Sequence, residues 1–369
     1  MSEKIYVLHV VGRMDRGGTE TLLMNLLRTV DRSVFQLDFV EQTQDSCDYD
    51  DEILELGSKI YRCPTISPNS LKKYRSWWRD FLKKHKEYRI IHGHSRGSAP
   101  IYLDEANKAG RVTIAHCHNN SHGKGIKGAI RYIWQLPLRN IADYNFACSY
   151  DSGISQFGKN GEFRIIKNGI ISSDFTWNPK VREKYRHDLG IETSFVVGNV
   201  ARFEEQKNHD YLLKIFSEIL KIKPDSKLLL IGRGSLESRI HDAAKQLKIE
   251  DSIIYLGVRD DVNSLLQAMD VFVLPSLFEG LGIVYVEAQA AGLPCFASAD
   301  VVPQEVCITD LMHYISLNEN PEIWAKYIVD HYVNDKNRRN TSSEIIAAGF
   351  DIESTAKELC SFYREIYNG

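Results

Sequence analysis

The chain has 369 residues, 43% apolar and 26% charged, the profile of a soluble globular enzyme with two domains. Its net charge of −3 is divided unevenly: residues 1–180 hold 26 Lys/Arg against 20 Asp/Glu, and residues 181–369 hold 20 against 29. No segment approaches the roughly 20 apolar residues that span a bilayer, and the seven scattered cysteines lack a Cys-x-x-Cys pair, which argues against a disulfide or zinc framework.

Short β-rich apolar runs alternate with longer helical patterns, so parallel α/β layers are expected. The opening IYVLHVV (5–11) is too short for a signal peptide and has no small-residue cleavage site, so it reads as a buried strand and a cytoplasmic protein is expected. The loop after it, VGRMDRGGTE, carries Gly17-Gly18 ahead of a helix, but it is not a G-x-G-x-x-G fingerprint. Strands follow near 36–41, 59–63, 89–94, 112–117, 144–148 and 164–169. The segment LKKYRSWWRDFLKKHKEYR (71–89) interleaves eight Lys/Arg with Trp77, Trp78, Phe81 and Leu82. Such a helix can lie on an anionic membrane surface with its aromatics at headgroup level, or pack those aromatics inward as an ordinary surface helix; residues 124–140 have a similar character. Nucleic acid is not an expected partner, because the charge is confined and no known binding module is present. His116 and His118 end a strand and alternation points both to one face. No Cys, Asp or third His is placed in sequence to complete a metal site around them, and no metal is expected. His92 and His94, on the preceding strand end, are weaker site candidates.

A polar link at 170–180 leads into a second doubly wound unit, with strands near 195–202, 227–232, 252–257, 271–276 and 294–298 and helices near 209–222 and 235–249. The domains are expected to be 1–175, joined by a C-terminal helix at about 352–369, and 176–351. Ligands of open parallel sheets bind outside the carboxyl ends of strands, so the loops leaving those ends are where chemistry is sought. After the strand at 195–202 stand Arg202, Lys207 and Asn208; by themselves the two cations read as a solvated surface pair, but fixed cations of this kind also stabilise a departing diphosphate where no metal does. In LPSLFEGLGIVYVEAQAAGLP (274–294), Gly280 and Gly282 let the backbone approach a ligand and aim the helix N–H groups near Ile283 at it. Glu279 can accept from sugar hydroxyls, and Glu287, one turn into the helix, can hold a ribose diol; taken alone, the segment reads equally as an ordinary strand–loop–helix with an acid favoured by the helix dipole. No suitable Asp-x-Asp for a divalent cation is present; Asp50-Asp51 and Asp260-Asp261 read as helix-start or loop acids.

Glu279 and Glu287 form the E-x7-E pattern of glycosyltransferase family 4, and the segment around them resembles that family's signature throughout; VEAQAAGLPC is similar to the branch that builds bacterial capsular and exopolysaccharides. The resemblance covers essentially the whole chain. It implies a retaining, metal-independent enzyme of GT-B architecture, two Rossmann-like doubly wound domains facing a cleft, which moves a hexose or N-acetylhexosamine from a nucleotide-sugar, favouring UDP, to a glycan acceptor of the lipid-linked kind, a polyprenyl-diphosphate-linked saccharide being one candidate. No cofactor is implied; the expected location is cytoplasmic, peripheral on the inner face of the plasma membrane if the 71–89 helix is the one that meets lipid. It assigns Arg202 and Lys207 to the diphosphate and His118, followed by Asn119, to the sugar or reacting groups. Glu279, Glu287, Gly280, Leu281, Gly282 and Ile283 fall to the donor. Gly17-Gly18 matches its GG-x-E loop, Asn168-Gly169 a structural turn, Gly232 a tight turn near the nucleotide, and Arg259 the segment that reads the base. A nucleotide-sugar epimerase or hydrolase would use a similar donor site. A dinucleotide oxidoreductase would need a glycine fingerprint that is missing here, and a two-domain binding receptor would need an export signal.

Overall fold

A computed structural model describes residues 4–67, 69–118, 125–332 and 337–368. The chain divides into two compact units, Met1–Gly169 with Asp351–Gly369, and Ile170–Phe350.

The first unit contains β1 (Ile5–Val11), β2 (Phe35–Glu41), β3 (Ile60–Arg62), β4 (Ile90–Gly93), β5 (Val112–Cys117), β6 (Tyr144–Ala147) and β7 (Arg164–Ile165), in the spatial order β3-β2-β1-β4-β5-β6-β7. All neighbours pair in parallel. A parallel sheet is covered on both faces, so its strands read as near-continuous apolar runs, as IYVLHVV does. The helix Ile352–Asn368 packs on the helix Gly18–Thr29 and buries Phe362 and Tyr363. Gly169 makes room for it: a Cβ there would stand 2.6 Å from Ile352 Cα.

The second unit holds β8 (Phe195–Val200), β9 (Ser226–Ile231), β10 (Ile253–Gly257), β11 (Val271–Leu274), β12 (Cys295–Ser298) and β13 (Met312–Ile315), ordered β10-β9-β8-β11-β12-β13 and again parallel throughout. Two Rossmann-like sheets are thus present, and each reverses its strand order once, between β1 and β4 and between β8 and β11. Such reversals open the crevice where ligands bind.

Two expectations from sequence change, and a third point left open between two readings is decided. The division falls at Gly169 and not at 175, because the short helix Ser172–Phe175 packs on the helices Val262–Ala268, Ile283–Ala290 and Ser342–Ala347 of the second unit. The edge strand β13 was not foreseen. The third concerns the basic helix, which spans Leu71–Lys84 and turns its aromatics inward. Tyr74, Trp78, Phe81 and Leu82 are buried, Trp78 stacks on Tyr102 at 5.4 Å, and Trp77 stacks on Phe81 at 4.9 Å. These rings are core and cannot serve as headgroup anchors. Two of the cations are also spent within the fold, since Arg75 and Arg79 both pair with Glu105. All seven cysteines are free, five of them buried. Among the described residues no helix is long and apolar enough to cross a membrane.

Candidate active site

At the β8/β11 reversal the two strand-end loops are stapled together. Gln206 O accepts from Leu277 N at 2.8 Å, and Gln206 Nε2 donates to Phe278 O at 2.8 Å. Asn208 Nδ2 donates to Pro275 O at 3.0 Å. Asn208 adopts φ +54°, a left-handed conformation that asparagine tolerates better than most residues, and thereby ends the turn and opens the helix His209–Ile222.

The staple brings Lys207 onto Glu279, with Nζ 2.6 Å from Oε1 and the two side chains only 14% and 5% exposed. Ser276 Oγ donates to the same carboxylate oxygen at 2.6 Å, and Gln206 Nε2 reaches the other at 3.4 Å. Ser276 and Gln206 are positioning residues that the sequence reading did not assign; their only signal was adjacency to Lys207 and to the strand end. Arg202 lies at the end of β8 with its side chain exposed, and makes no salt bridge among the described residues.

Beyond Glu279, Gly280 is buried and Leu281 turns inward at 4% exposure, so only its backbone can meet a ligand. Gly282 takes φ +81°, and a Cβ there would press on the Tyr285 ring at 2.8 Å. It delivers the chain into the helix Ile283–Ala290, whose first amides have no intrahelical acceptor. Glu287 is half-buried on that helix, and burial pushes its carboxyl up to about 7. Gly232, at φ +140°, lies against the β8 exit: a Cβ would stand 2.0 Å from Ala201 O. Phe203 N donates to Arg233 O at 2.9 Å, fixing this loop beside Arg202. Arg259 is engaged already, holding Asp261 with Nε at 2.8 Å and Nη2 at 2.7 Å, while Tyr185 Oη donates to Asp261 at 2.8 Å. A ligand at Arg259 must compete with this pair.

The remaining site candidates belong to the first unit. Gly17 is the extended N-cap residue of the helix Gly18–Thr29, and a Cβ on it would meet Glu20 Oε2 at 2.5 Å; Gly18 is exposed. His118 follows β5, is half-buried, and burial holds its imidazole down at about 3. Asn119 lies outside the described residues. The expectation that nothing completes a metal-ligand set around His116 and His118 does not hold. The parallel register of β4 and β5, His92 opposite Ile114, places His94 Nδ1 2.8 Å from His118 Nε2 and His92 Nε2 3.2 Å from His116 Nδ1.

Residues 181–347 match the model for Glycosyl transferases group 1. Over 368 residues the chain is 32% identical to a protein named as glycosyltransferase EpsF of Bacillus subtilis (strain 168), covering 97% of this chain and 96% of that one. It is 27% identical over 267 residues to the UDP-Gal:alpha-D-GlcNAc-diphosphoundecaprenol alpha-1,3-galactosyltransferase of Escherichia coli, covering 67% and 68% of the two. Among solved structures, Anabaena Alr3699/HepE in complex with UDP-glucose aligns with a TM-score of 0.80 at 17% identity, over 98% and 99% of the chains. WaaG, a glycosyltransferase involved in lipopolysaccharide biosynthesis, aligns with a TM-score of 0.76 at 17% identity, over 97% and 99%. With a relative at 32% identity along its whole length and the family's model on its second unit, the chain belongs to the group 1 glycosyl transferases, as an enzyme of GT-B fold.

Proposed function

We propose that this glycosyltransferase moves a hexose or N-acetylhexosamine from a UDP-sugar to a glycan acceptor with retention of anomeric configuration, in the manner of family 4. The observation that carries the reading is the Lys207–Glu279 contact at the β8/β11 reversal, which sets a cation and a hydroxyl-binding carboxylate 2.6 Å apart beside a helix N-terminus. In the unliganded chain they neutralise one another. With donor present, Lys207 and Arg202 take the diphosphate, and Glu279 turns its oxygens to sugar hydroxyls. Glu287, with a pKa near 7, can donate as well as accept at a ribose diol. The charge that develops on the leaving phosphate is met by fixed cations, so no divalent ion is required for departure. The phosphate takes the acceptor proton as the acceptor attacks from the same face. His118 keeps the role that the family resemblance gives it, at the sugar or the reacting groups.

The printed names of the relatives favour UDP and a lipid-linked acceptor. One transfers galactose from UDP-Gal to a GlcNAc-diphosphoundecaprenol, and a structural neighbour holds UDP-glucose. A cytoplasmic, membrane-peripheral role in capsule or exopolysaccharide synthesis fits that acceptor class. Within the fold, membrane contact is better supported by the helix Gly125–Gln135 than by Leu71–Lys84, because Ile126, Ile130 and Ile133 are 81%, 62% and 64% exposed.

The test is purified protein with a panel of UDP- and GDP-sugars and a synthetic polyprenyl-diphosphate saccharide, read by mass spectrometry and by NMR of the new anomeric centre. An axially configured product from an axial donor, formed in the presence of chelator, is expected. Inverted product, complete dependence on added Mn²⁺, or free sugar or epimer as sole product would sink the proposal.

A further inference from the structure

Five imidazoles gather in the first unit, at and beside the β1/β4 reversal. His9 comes from β1, His92 and His94 from the end of β4, and His116 and His118 from the end of β5; His9, His92 and His116 are buried. His9 Nδ1 lies 3.0 Å from His94 Nε2, and His92 Nδ1 lies 2.6 Å from Tyr363 Oη on the C-terminal helix. The His94–His118 and His92–His116 contacts complete the set. Three ring nitrogens are left over: among the described residues His9 Nε2, His116 Nε2 and His118 Nδ1 have no hydrogen-bond partner. A buried polar atom left unpaired costs about 1–3 kcal/mol, and an ion reached by His116 Nε2 would satisfy one of the three. His94, His116 and His118 each offer a nitrogen within 4.8 Å of the others.

We propose that His94, His116 and His118 bind one divalent transition-metal ion of the zinc class. Three imidazoles suit Zn²⁺, Co²⁺, Ni²⁺ or Cu²⁺ and discriminate against Mg²⁺ and Ca²⁺, which prefer oxygen. The rest of the cluster then acquires a purpose. With His94 Nδ1, His118 Nε2 and His116 Nε2 on the metal, His94 Nε2–H donates to His9, His116 Nδ1–H donates to His92, and His92 Nδ1–H donates to Tyr363. Metal-bound histidines orient themselves in just such a way, through the nitrogen that faces away from the ion. Burial lowers all five imidazoles from their ordinary values, so their lone pairs are available at neutral pH. Bonds of 2.0–2.1 Å on a tetrahedral ion set the nitrogens about 3.3 Å apart, so the 2.8 Å contact between His94 and His118 must widen by about half an ångström. Small ring rotations supply that, and three protein ligands leave a fourth position open. Where His118 serves the donor sugar, an ion bound here takes its lone pair and inhibits transfer; this consequence alone rests on the function proposed above.

The experiment uses the full-length, untagged chain, stripped with chelator and titrated with Co²⁺. A visible d–d absorption band saturating at one ion per chain is expected, bleached by Zn²⁺ and untouched by Mg²⁺. His94→Gln and His116→Gln, with folding checked by circular dichroism, should weaken Co²⁺ binding more than about 100-fold, beyond the roughly 10–100-fold that loss of an outer partner costs. If either fails to fold, His118→Asn makes the same comparison. Cys47→Ser controls for the other candidate ligand trio, Glu41, Cys47 and Asp50, whose two carboxylates already hold Arg62, and it should bind as wild type does. Absence of a Co²⁺ band, unchanged affinity in the histidine variants, or loss in Cys47→Ser overturns the proposal and leaves a ladder of hydrogen-bonded imidazoles. Cobalt binding without any glycosyl transfer leaves the metal site standing while the proposed function falls, and the reverse result separates them in the other direction.

Discussion

Replacing Lys207 with methionine, Glu279 with glutamine, and both together decides whether the pair at the β8/β11 reversal is chemistry or scaffold. Lys207→Met strands a carboxylate that is 5% exposed, although Ser276 and Gln206 still donate to it. Breaking a buried pair costs about 3–5 kcal/mol, and the two surviving donors put this case near the lower end, at about 3 kcal/mol. Glu279→Gln strands an ammonium that is 14% exposed and can turn to water, so about 2 kcal/mol is expected. The double variant leaves no uncompensated charge and should return to within about 1 kcal/mol of wild type. Transfer behaves differently. Loss of a cation facing the leaving group costs roughly 10²–10³ in rate, and nothing in the double variant restores it. Urea melts and UDP release measured on all four proteins give both cycles. A double variant that regains transfer along with stability would refute the donor role, and a Lys207→Met protein destabilised by less than about 1 kcal/mol would refute the burial argument.

Other outcomes follow from the titrating groups and the exposed helix. His9 and His118 titrate at about 3 when folded against an ordinary 6.5. Their stabilisation is therefore whole above pH 6.5 and lost as pH falls, by about 2 kcal/mol per imidazole at pH 5. Urea midpoints that do not fall between pH 7.5 and pH 5 would contradict this. Glu287 runs the opposite way: raised from 4.5 to about 7, its contribution is full below 4.5 and lost as pH climbs through 7. Glu287→Gln should thus gain up to about 3 kcal/mol at pH 8 while binding UDP-sugar more weakly, read by melts and calorimetry; a variant less stable than wild type at pH 8 would count against it. Finally, Ile130→Asp with Ile133→Asp should abolish flotation with anionic liposomes, whereas Lys72→Glu with Lys73→Glu should only weaken it. The reverse ranking would return membrane contact to Leu71–Lys84.

What could be read from sequence, and what could not, divides on strand order. The parallel strands were visible because burial on both faces leaves runs such as KLLLIG and VFVLPS with no polar alternation. The edge strand β13 was missed because its middle residues, His313 and Tyr314, are half-buried and break the run. The basic helix was left between two readings, although its period favoured the inward one: Tyr74, Trp78, Phe81 and Leu82 are spaced as one helical face. Glu279 and Glu287 share one helix-loop segment and could be paired by eye. Lys207 and Glu279 are 72 residues apart, and no spacing rule joins them. They meet because β8 and β11 are neighbours, with β9 and β10 laid to the other side. The imidazole cluster depends in the same way on β1, β4 and β5 lying side by side, after β2 and β3 have been laid beyond β1. In both units the groups that spacing along the chain does not join are those that a reversal of strand order brings together, and a crevice at a reversal is where an α/β sheet binds its ligand. Residues at the ends of strands that flank a reversal are therefore better paired by sheet position than by distance along the chain.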